Sequence, residues 1–216
     1  MRRAILKALL DARETLHGDL LDVGSGDQPY RELLLSNTAV RSYTALDLQN
    51  NAHYSKGDVS WDGVQIPLAD GSFDCAIATE VLEHCPEPLV TLREIHRVLK
   101  TSGVFFFTVP FLWPLHDAPN DEFRYTPWSL ERLLSQAGFT DTKLWPTGGW
   151  NAALAQSIGL YARRAPMTDR LRWLLSLVAL PLVWLLAKTD RPVKQFHHGF
   201  YLMPGIAGIA RAKAAD

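Results

Sequence analysis

The chain has 216 residues, 47% of them hydrophobic and 21% charged, with a formal net charge of -1. That length suits one α/β domain with a full core, because domains much beyond ~250 residues tend to split. The balanced charge excludes the basic surplus of a nucleic-acid binder, so no nucleic-acid partner is expected.

Residues Ala4 to Leu16 read as an amphipathic opening helix, and no small-residue cleavage signal follows Met1-Arg2-Arg3, so no secretory peptide is expected. From residue 18 onward short apolar runs alternate with helical stretches, the pattern of βα units on a mostly parallel sheet. Leu20 to Val23 is the first strand, stopped by the turn Gly24-Ser25-Gly26, and Tyr30 to Leu35 is the helix after it. Tyr43 to Leu46 is a second strand ending at Asp47, and a short third ends near Gly57-Asp58. Phe73 to Thr79 is an almost unbroken apolar run ending in Glu80, as for a central strand covered on both faces, and it should sit beside the first.

Pro88 to Leu99 carries apolar residues at helical spacing, with Gly103 as a stop signal; Val104 to Val109 makes the fifth strand. Thr126-Pro127-Trp128 is a cap with proline in the first turn, opening a helix to Gly138. Phe139 to Trp145 and the stretch from Gly199 to Ala212 are the sixth and seventh strands. Cys75 and Cys85 lack the spacing of a zinc site or disulfide scaffold and read as reduced thiols of a cytoplasmic protein. No metal-ligand set is read from the sequence.

One stretch breaks the pattern, an apolar helical insertion over about 150–192 between the sixth and seventh strands. Its centre, Trp173 to Ala187, is apolar apart from Ser176, contains Pro181, and is flanked by Arg170, Arg172, Lys188 and Arg191. Fifteen helical residues span ~22 Å, short of the ~30 Å hydrocarbon core, which argues against a transmembrane crossing. Two readings stay open: a cap over 171–187 in peripheral contact with the membrane, or a hairpin broken at Pro181 that packs on the domain or makes a homodimer.

The strand ends carry the chemistry. A glycine turn after the first strand lets the backbone approach a ligand closely, although a mere tight turn is as good a reading of Gly24 and Gly26 alone. The dinucleotide fingerprint needs a third glycine where this chain has Pro29, and Asp27 would repel a phosphate, so a ligand without phosphates fits better. Asp47 is placed to accept from a ribose diol, while Asp58 and Val59 could meet an adenine by carboxylate, amide and apolar side chain. Each aspartate taken singly also reads as a solvated turn residue.

Six runs carry a resemblance: Leu21 to Gly26, Leu46-Asp47, Gly57 to Val59, Ile66 to Asp74, Glu80 to His84, and Arg93 to Lys100. In this order and spacing they resemble the type 11 group of class I S-adenosylmethionine-dependent methyltransferases, over about residues 18 to 145. The resemblance implies a Rossmann-like α/β fold, with a seven-stranded, mostly parallel sheet, an antiparallel last strand and helices on both faces. It also implies S-adenosyl-L-methionine as donor, with contacts from Asp22, Gly24, Ser25, Gly26, Asp47, Leu48, Asp58, Val59 and Glu80. Gly24 and Gly26 would border the methionine part, Asp47 the ribose, Asp58 and Val59 the adenine, and Glu80 the sulfonium side. The chain departs from the pattern at Asp27, where a small residue is frequent, and at Thr101-Ser102-Gly103, where Pro-Gly-Gly is usual.

The segment from Val109-Pro110-Phe111 to Thr126-Pro127 resembles a subgroup linked to polysaccharide or lipid-linked glycan pathways. That implies a small-molecule, glycan or lipid-linked acceptor. Methyl transfer needs alignment, and a base if the acceptor carries a proton. His116 and His84 are the catalytic candidates, set against a reading in which His116 packs the loop, Asp121 pairs with Arg124, and His84 bonds backbone. An NAD-dependent oxidoreductase is disfavoured by Pro29, and a non-catalytic adapter by the intact Gly24, Gly26, Asp47 and Asp58.

Overall fold

The computed structural model describes residues 2–49, 57–197 and 199–213. Helix α1 (Arg2–Ala12) leads through a 3-10 turn to β1 (His17–Val23), followed by α2 (Arg31–Asn37), β2 (Ala39–Leu48), β3 (Val59–Trp61) and β4 (Phe73–Thr79). Then come α3 (Pro88–Val98), β5 (Leu99–Pro110), α4 (Pro127–Gln136), β6 (Phe139–Pro146), α5 (Trp150–Arg164), α6 (Asp169–Lys188) and β7 (Gly205–Ala212). The seven strands form one sheet in the order β3-β2-β1-β4-β5-β7-β6. Among the described residues only β7 runs against its neighbours, antiparallel to both β5 and β6. The Rossmann-like architecture and the place of the fourth strand beside the first are as the sequence predicts.

Alternation along the central strands divides the core into two layers, because successive side chains leave a strand on opposite faces. Leu20, Cys75, Ile77, Val104 and Phe106 meet α1 and α2 through Leu9, Ala12 and Leu34. Leu21, Ala76, Ala78, Phe105 and Phe107 meet α3 and α4 through Leu92, Ile95, Leu130 and Leu134. The predicted cap at Thr126 forms, its hydroxyl accepting from the Ser129 amide at 3.2 Å.

Two of the motif runs hold each other. On α3, Arg97 donates to the carbonyls of Ile66 (2.8 Å) and Leu68 (3.0 Å), while Glu94 accepts the Ile66 amide at 2.8 Å. These residues fasten the 66–70 loop beneath β4 and stand away from the strand ends.

The structure corrects three boundaries. β3 starts after Asp58 instead of ending there, because a side chain on Gly57 would lie 2.8 Å from the Ala45 carbonyl and Asp58 accepts the Ala45 amide at 3.0 Å. These two residues make a bend against β2, but the register pairs Val59 with Leu46, which keeps them beside the carboxyl end of β2. The last strand begins at Gly205, since the carbonyl of Pro204 is already engaged by the amides of Phe111 (2.9 Å) and Leu112 (3.0 Å). Third, the insertion is a hairpin of two whole helices, α5 and α6. Pro181 lies within a continuous α6 that is capped by Thr168. At twenty residues α6 spans about 30 Å, so the argument from length against a crossing does not hold.

Candidate functional site

The sheet grows outward from β1 in two directions, to β2 on one side and β4 on the other, and the carboxyl ends at such a switch point form a crevice. The turn after β1 is tied to both sides of it. Gly24 and Ser25 donate their amides to the Leu46 carbonyl at 2.9 and 3.1 Å. A Cβ on Gly24 would lie 2.6 Å from the Val81 side chain in the loop after β4. With φ at +66° for Gly24 and +50° for Gly26, the turn needs glycine both for conformation and for space.

Asp47 organises this turn. Its Oδ2 accepts the Gly26 amide at 2.9 Å and its Oδ1 the Leu48 amide at 2.8 Å, which aims a buried carboxylate along the lip of the crevice. Leu48 beside it is half exposed. Asp58 is held by the Ala45 amide and by Arg31 at 3.4 Å, so it braces β2 to α2 as well as bordering the crevice. Val59 packs partly buried on the core.

Beneath the turn, Asp22 and Ser25 are buried, and among the described residues Asp22 Oδ1 and Ser25 Oγ have no hydrogen-bond partner. Tyr43 donates to the other oxygen of Asp22. Burial pushes the Asp22 carboxyl up to about 7, against the hydrogen bond from Tyr43, and the neighbouring Asp47 charge adds to the rise. A folded-state value above the unfolded one means stability that is full below about pH 4 and lost as pH rises through about 7. Asp22→Asn should therefore match the parent chain near pH 4 and exceed it above pH 7, by roughly 4 kcal/mol at most. Urea unfolding of both proteins across that range checks this, and a difference that does not change with pH would remove Asp22 as its cause.

The other half of the crevice is built by the loops after β4 and β5. Glu80 follows β4 with φ at +57° and bonds its amide to the Thr108 carbonyl at 3.0 Å; burial raises its carboxyl above the ordinary range. The 3-10 turn Leu82–His84 then folds Glu83 inward. Its side chain has 0% exposure, and neither carboxylate oxygen has a hydrogen-bond partner among the described residues. Burial, and then the Glu80 charge, push it up to about 9. The Glu83 carbonyl accepts the amides of Glu122 (2.9 Å) and Phe123 (3.2 Å), and Tyr125 donates to the Leu82 carbonyl at 2.7 Å. The loop after β5 is thereby fastened over the loop after β4.

Asp121 is the organiser of that loop. Arg124 grips both of its oxygens at 2.6 and 2.8 Å, and it accepts the His116 amide and the His116 Nδ1 at 3.0 Å each. The guanidinium holds the Asp121 carboxyl well below the usual carboxylate range. Asp121 pairs with Arg124, as one reading of the loop had it. His84 bonds backbone as one reading had it, Nδ1 against the Asn120 carbonyl at 3.0 Å, and its ring meets that of His116 edge-on with centroids 4.9 Å apart.

The structure thus gathers Gly24, Ser25, Gly26, Asp22, Asp47 and Leu48 at one part of the crevice and Glu80, His84 and His116 at another. Sequence reasoning missed Glu83 and Tyr43. The signal for Glu83 was a second carboxylate three residues beyond Glu80 in an otherwise apolar Val-Leu-Glu-His-Cys run.

A family profile described as a methyltransferase domain matches residues 21–107. The demethylmenaquinone methyltransferase of Staphylococcus saprophyticus is 27% identical over 126 residues, covering 44% of this chain and 54% of that protein. The sterol 24-C-methyltransferase of Yarrowia lipolytica is 31% identical over 125 residues, covering 52% of this chain and 33% of that protein. The chain therefore spans about half of the first relative and a third of the second. Among solved structures, the phosphoethanolamine N-methyltransferase 2 of Haemonchus contortus, in complex with phosphomonomethylethanolamine and S-adenosylhomocysteine, superposes with a TM-score of 0.59 at 13% identity, over 98% of this chain and 52% of that one. That likeness is one of fold.

Proposed function

We propose that this chain, whose residues 21–107 match a methyltransferase domain, is a class I S-adenosylmethionine-dependent methyltransferase that works as a single domain and methylates a lipid-linked or glycan acceptor brought to it at a membrane surface. The observation that carries the donor half is the turn after β1, where a position closed to any side chain adjoins two buried polar atoms, Asp22 Oδ1 and Ser25 Oγ, that await a ligand. These residues fit a donor whose methionine end is polar and carries an ammonium. Gly24 and Gly26 would allow the main chain to approach it, Asp47 would take the ribose diol, and Val59, Asp58 and Leu48 would hold the adenine. Glu80 would offer a buried carboxyl to the sulfonium side.

The bound donor supplies a methyl group open to in-line displacement. The protein aligns the acceptor and, for a hydroxyl or amine, receives its proton. His116 suits that role: its Nδ1–H donates a hydrogen bond to Asp121, which leaves Nε2 as the basic atom, and His84 stands beside it.

The acceptor half rests on where the hairpin springs from. β6 ends and β7 begins at the same edge of the sheet as the crevice, and α5 reaches back to it, Gln156 donating to the Leu112 carbonyl at 2.5 Å. An apolar helix pair thus rims the acceptor loop, as an enzyme acting on a lipid-anchored substrate at the inner face of a membrane requires. The quinone and sterol substrates in the names of the two relatives point the same way.

The test is transfer of labelled methyl from S-adenosylmethionine to quinone, sterol and glycolipid acceptors offered in vesicles. His116→Ala should lower turnover by about 100-fold, the range for a positioned base, while donor affinity in calorimetry stays within about twofold. Equal losses in both would make the loop a structural part of the donor site. No donor binding by the parent chain would overturn the reading as a whole.

A further inference from the structure

We propose that Glu83, His84 and His116 form a binding site for one divalent transition-metal ion on the acceptor side of the crevice. Their three ligand atoms lie within 4.8 Å of one another, with His84 Nε2 3.8 Å from Glu83 Oε1. A loaded tetrahedral site with bonds of about 2.0 to 2.1 Å holds its ligands about 3.4 Å apart. Small side-chain rotations close the difference.

The hydrogen bonding around the two histidines settles which ring nitrogens are free to ligate. A backbone carbonyl only accepts, so the Asn120 carbonyl at 3.0 Å fixes the proton of His84 on Nδ1. The Asp121 carboxylate does the same for His116, again at 3.0 Å. Both imidazoles therefore carry their lone pair on Nε2, and the carboxylate-histidine pairing of Asp121 with His116 is the arrangement that orients a metal-bound imidazole. Glu83 adds two buried acceptor oxygens with no donor among the described residues. Two imidazole lone pairs and a buried carboxyl without hydrogen-bond partners converge here, and a bound cation would take the place of the carboxyl's proton.

Two imidazoles and one carboxylate suit zinc, iron or cobalt better than magnesium, which prefers an all-oxygen shell, and three protein ligands leave a position open. An acceptor hydroxyl in that position would lose its proton to solvent more readily, held as its anion toward the donor, so that the ion takes the place of His116 Nε2 as the activating group. That use rests on the methyltransferase reading, whereas the binding of the ion does not.

The full chain, stripped with a chelator and dialysed, is titrated with Co2+ by visible absorbance and with Zn2+ by calorimetry, with no donor present. One equivalent should bind, Zn2+ should displace Co2+, and Mg2+ should bind at least about 100-fold more weakly. Glu83→Gln and His116→Ala should each weaken Zn2+ binding by more than about tenfold, with thermal unfolding and donor calorimetry showing that the variants remain folded. Failure of the parent chain to take up either ion, binding that survives both substitutions, or Mg2+ binding as tight as Zn2+ overturns the proposal. Metal uptake by a chain that does not bind S-adenosylmethionine would sustain the site and sink only its use.

Discussion

Asp47→Ala should bind S-adenosylmethionine about 10- to 100-fold more weakly than the parent chain. Hydrogen bonds to a charged group contribute about 1.5 to 3 kcal/mol, and each 1.4 kcal/mol is a factor of ten. Asp47 does two things at once, because the carboxylate that would meet the ribose also holds the Gly26 amide at 2.9 Å and so shapes the turn. Asp47→Asn separates them. Its remaining oxygen can keep the Gly26 amide while the charge and the bond from the Leu48 amide are gone, so it should recover most of the thermal stability that Asp47→Ala loses but only part of the affinity. Calorimetry on the two variants reads this directly. Unchanged affinity in Asp47→Ala would remove the residue from the donor site, and full recovery in Asp47→Asn would confine it to the turn.

The sheet was legible in the sequence because its strands are buried on both faces and therefore appear as plain apolar runs, as from Phe73 to Thr79. The glycine turn after β1 was legible because its glycines are local. What could not be read lies in long-range placement. Nothing local says that the Leu82–His84 turn buries Glu83, and His84 and His116 are separated in sequence by the whole of β5, so their ring contact depends on a loop folded back by Asp121 and Tyr125.

The error at Pro181 has another cause. Proline in a helix removes one amide donor and crowds the carbonyl four residues back, yet an apolar helix whose other bonds are intact can carry it through. The apolar window from Trp173 hid the true start, although Thr168-Asp169, a cap followed by an acid in the first turn, marks it.

The apolar hairpin should carry the protein to anionic vesicles. Only 6% of the apolar window of α6 is buried, and Trp173, Val178 and Trp184 are 63%, 71% and 62% exposed. A helix apolar on every side is covered by protein or by lipid, and among the described residues the fold covers only one stripe of this one, where Ala179 is buried and Leu175, Val183 and Leu186 are half-buried. The flanks suit lipid. Arg163 and Arg164 end α5, Arg170 and Arg172 begin α6, and Lys188 and Arg191 follow, with Lys188 lying 4.8 Å over the Trp184 ring. Tryptophan and cations at the limits of an apolar segment match the interface and anionic headgroups, each cation adding about 1 kcal/mol.

In flotation with phosphatidylglycerol vesicles the parent chain should rise with the lipid. The combined variant Trp173→Ser, Val178→Ser, Trp184→Ser should stay at the bottom, with its fold intact because all three side chains face outward. Neutralising Arg170, Lys188 and Arg191 to glutamine should lower binding to anionic vesicles by about 100-fold, with little change on neutral ones. Alkaline carbonate then separates a hairpin lying in the interface, which is released, from one that crosses, which is not. A parent chain that remains in the soluble fraction and elutes as a dimer, with the serine variant a monomer, would instead assign α6 to contact between subunits, and the acceptor would lose its tie to the membrane.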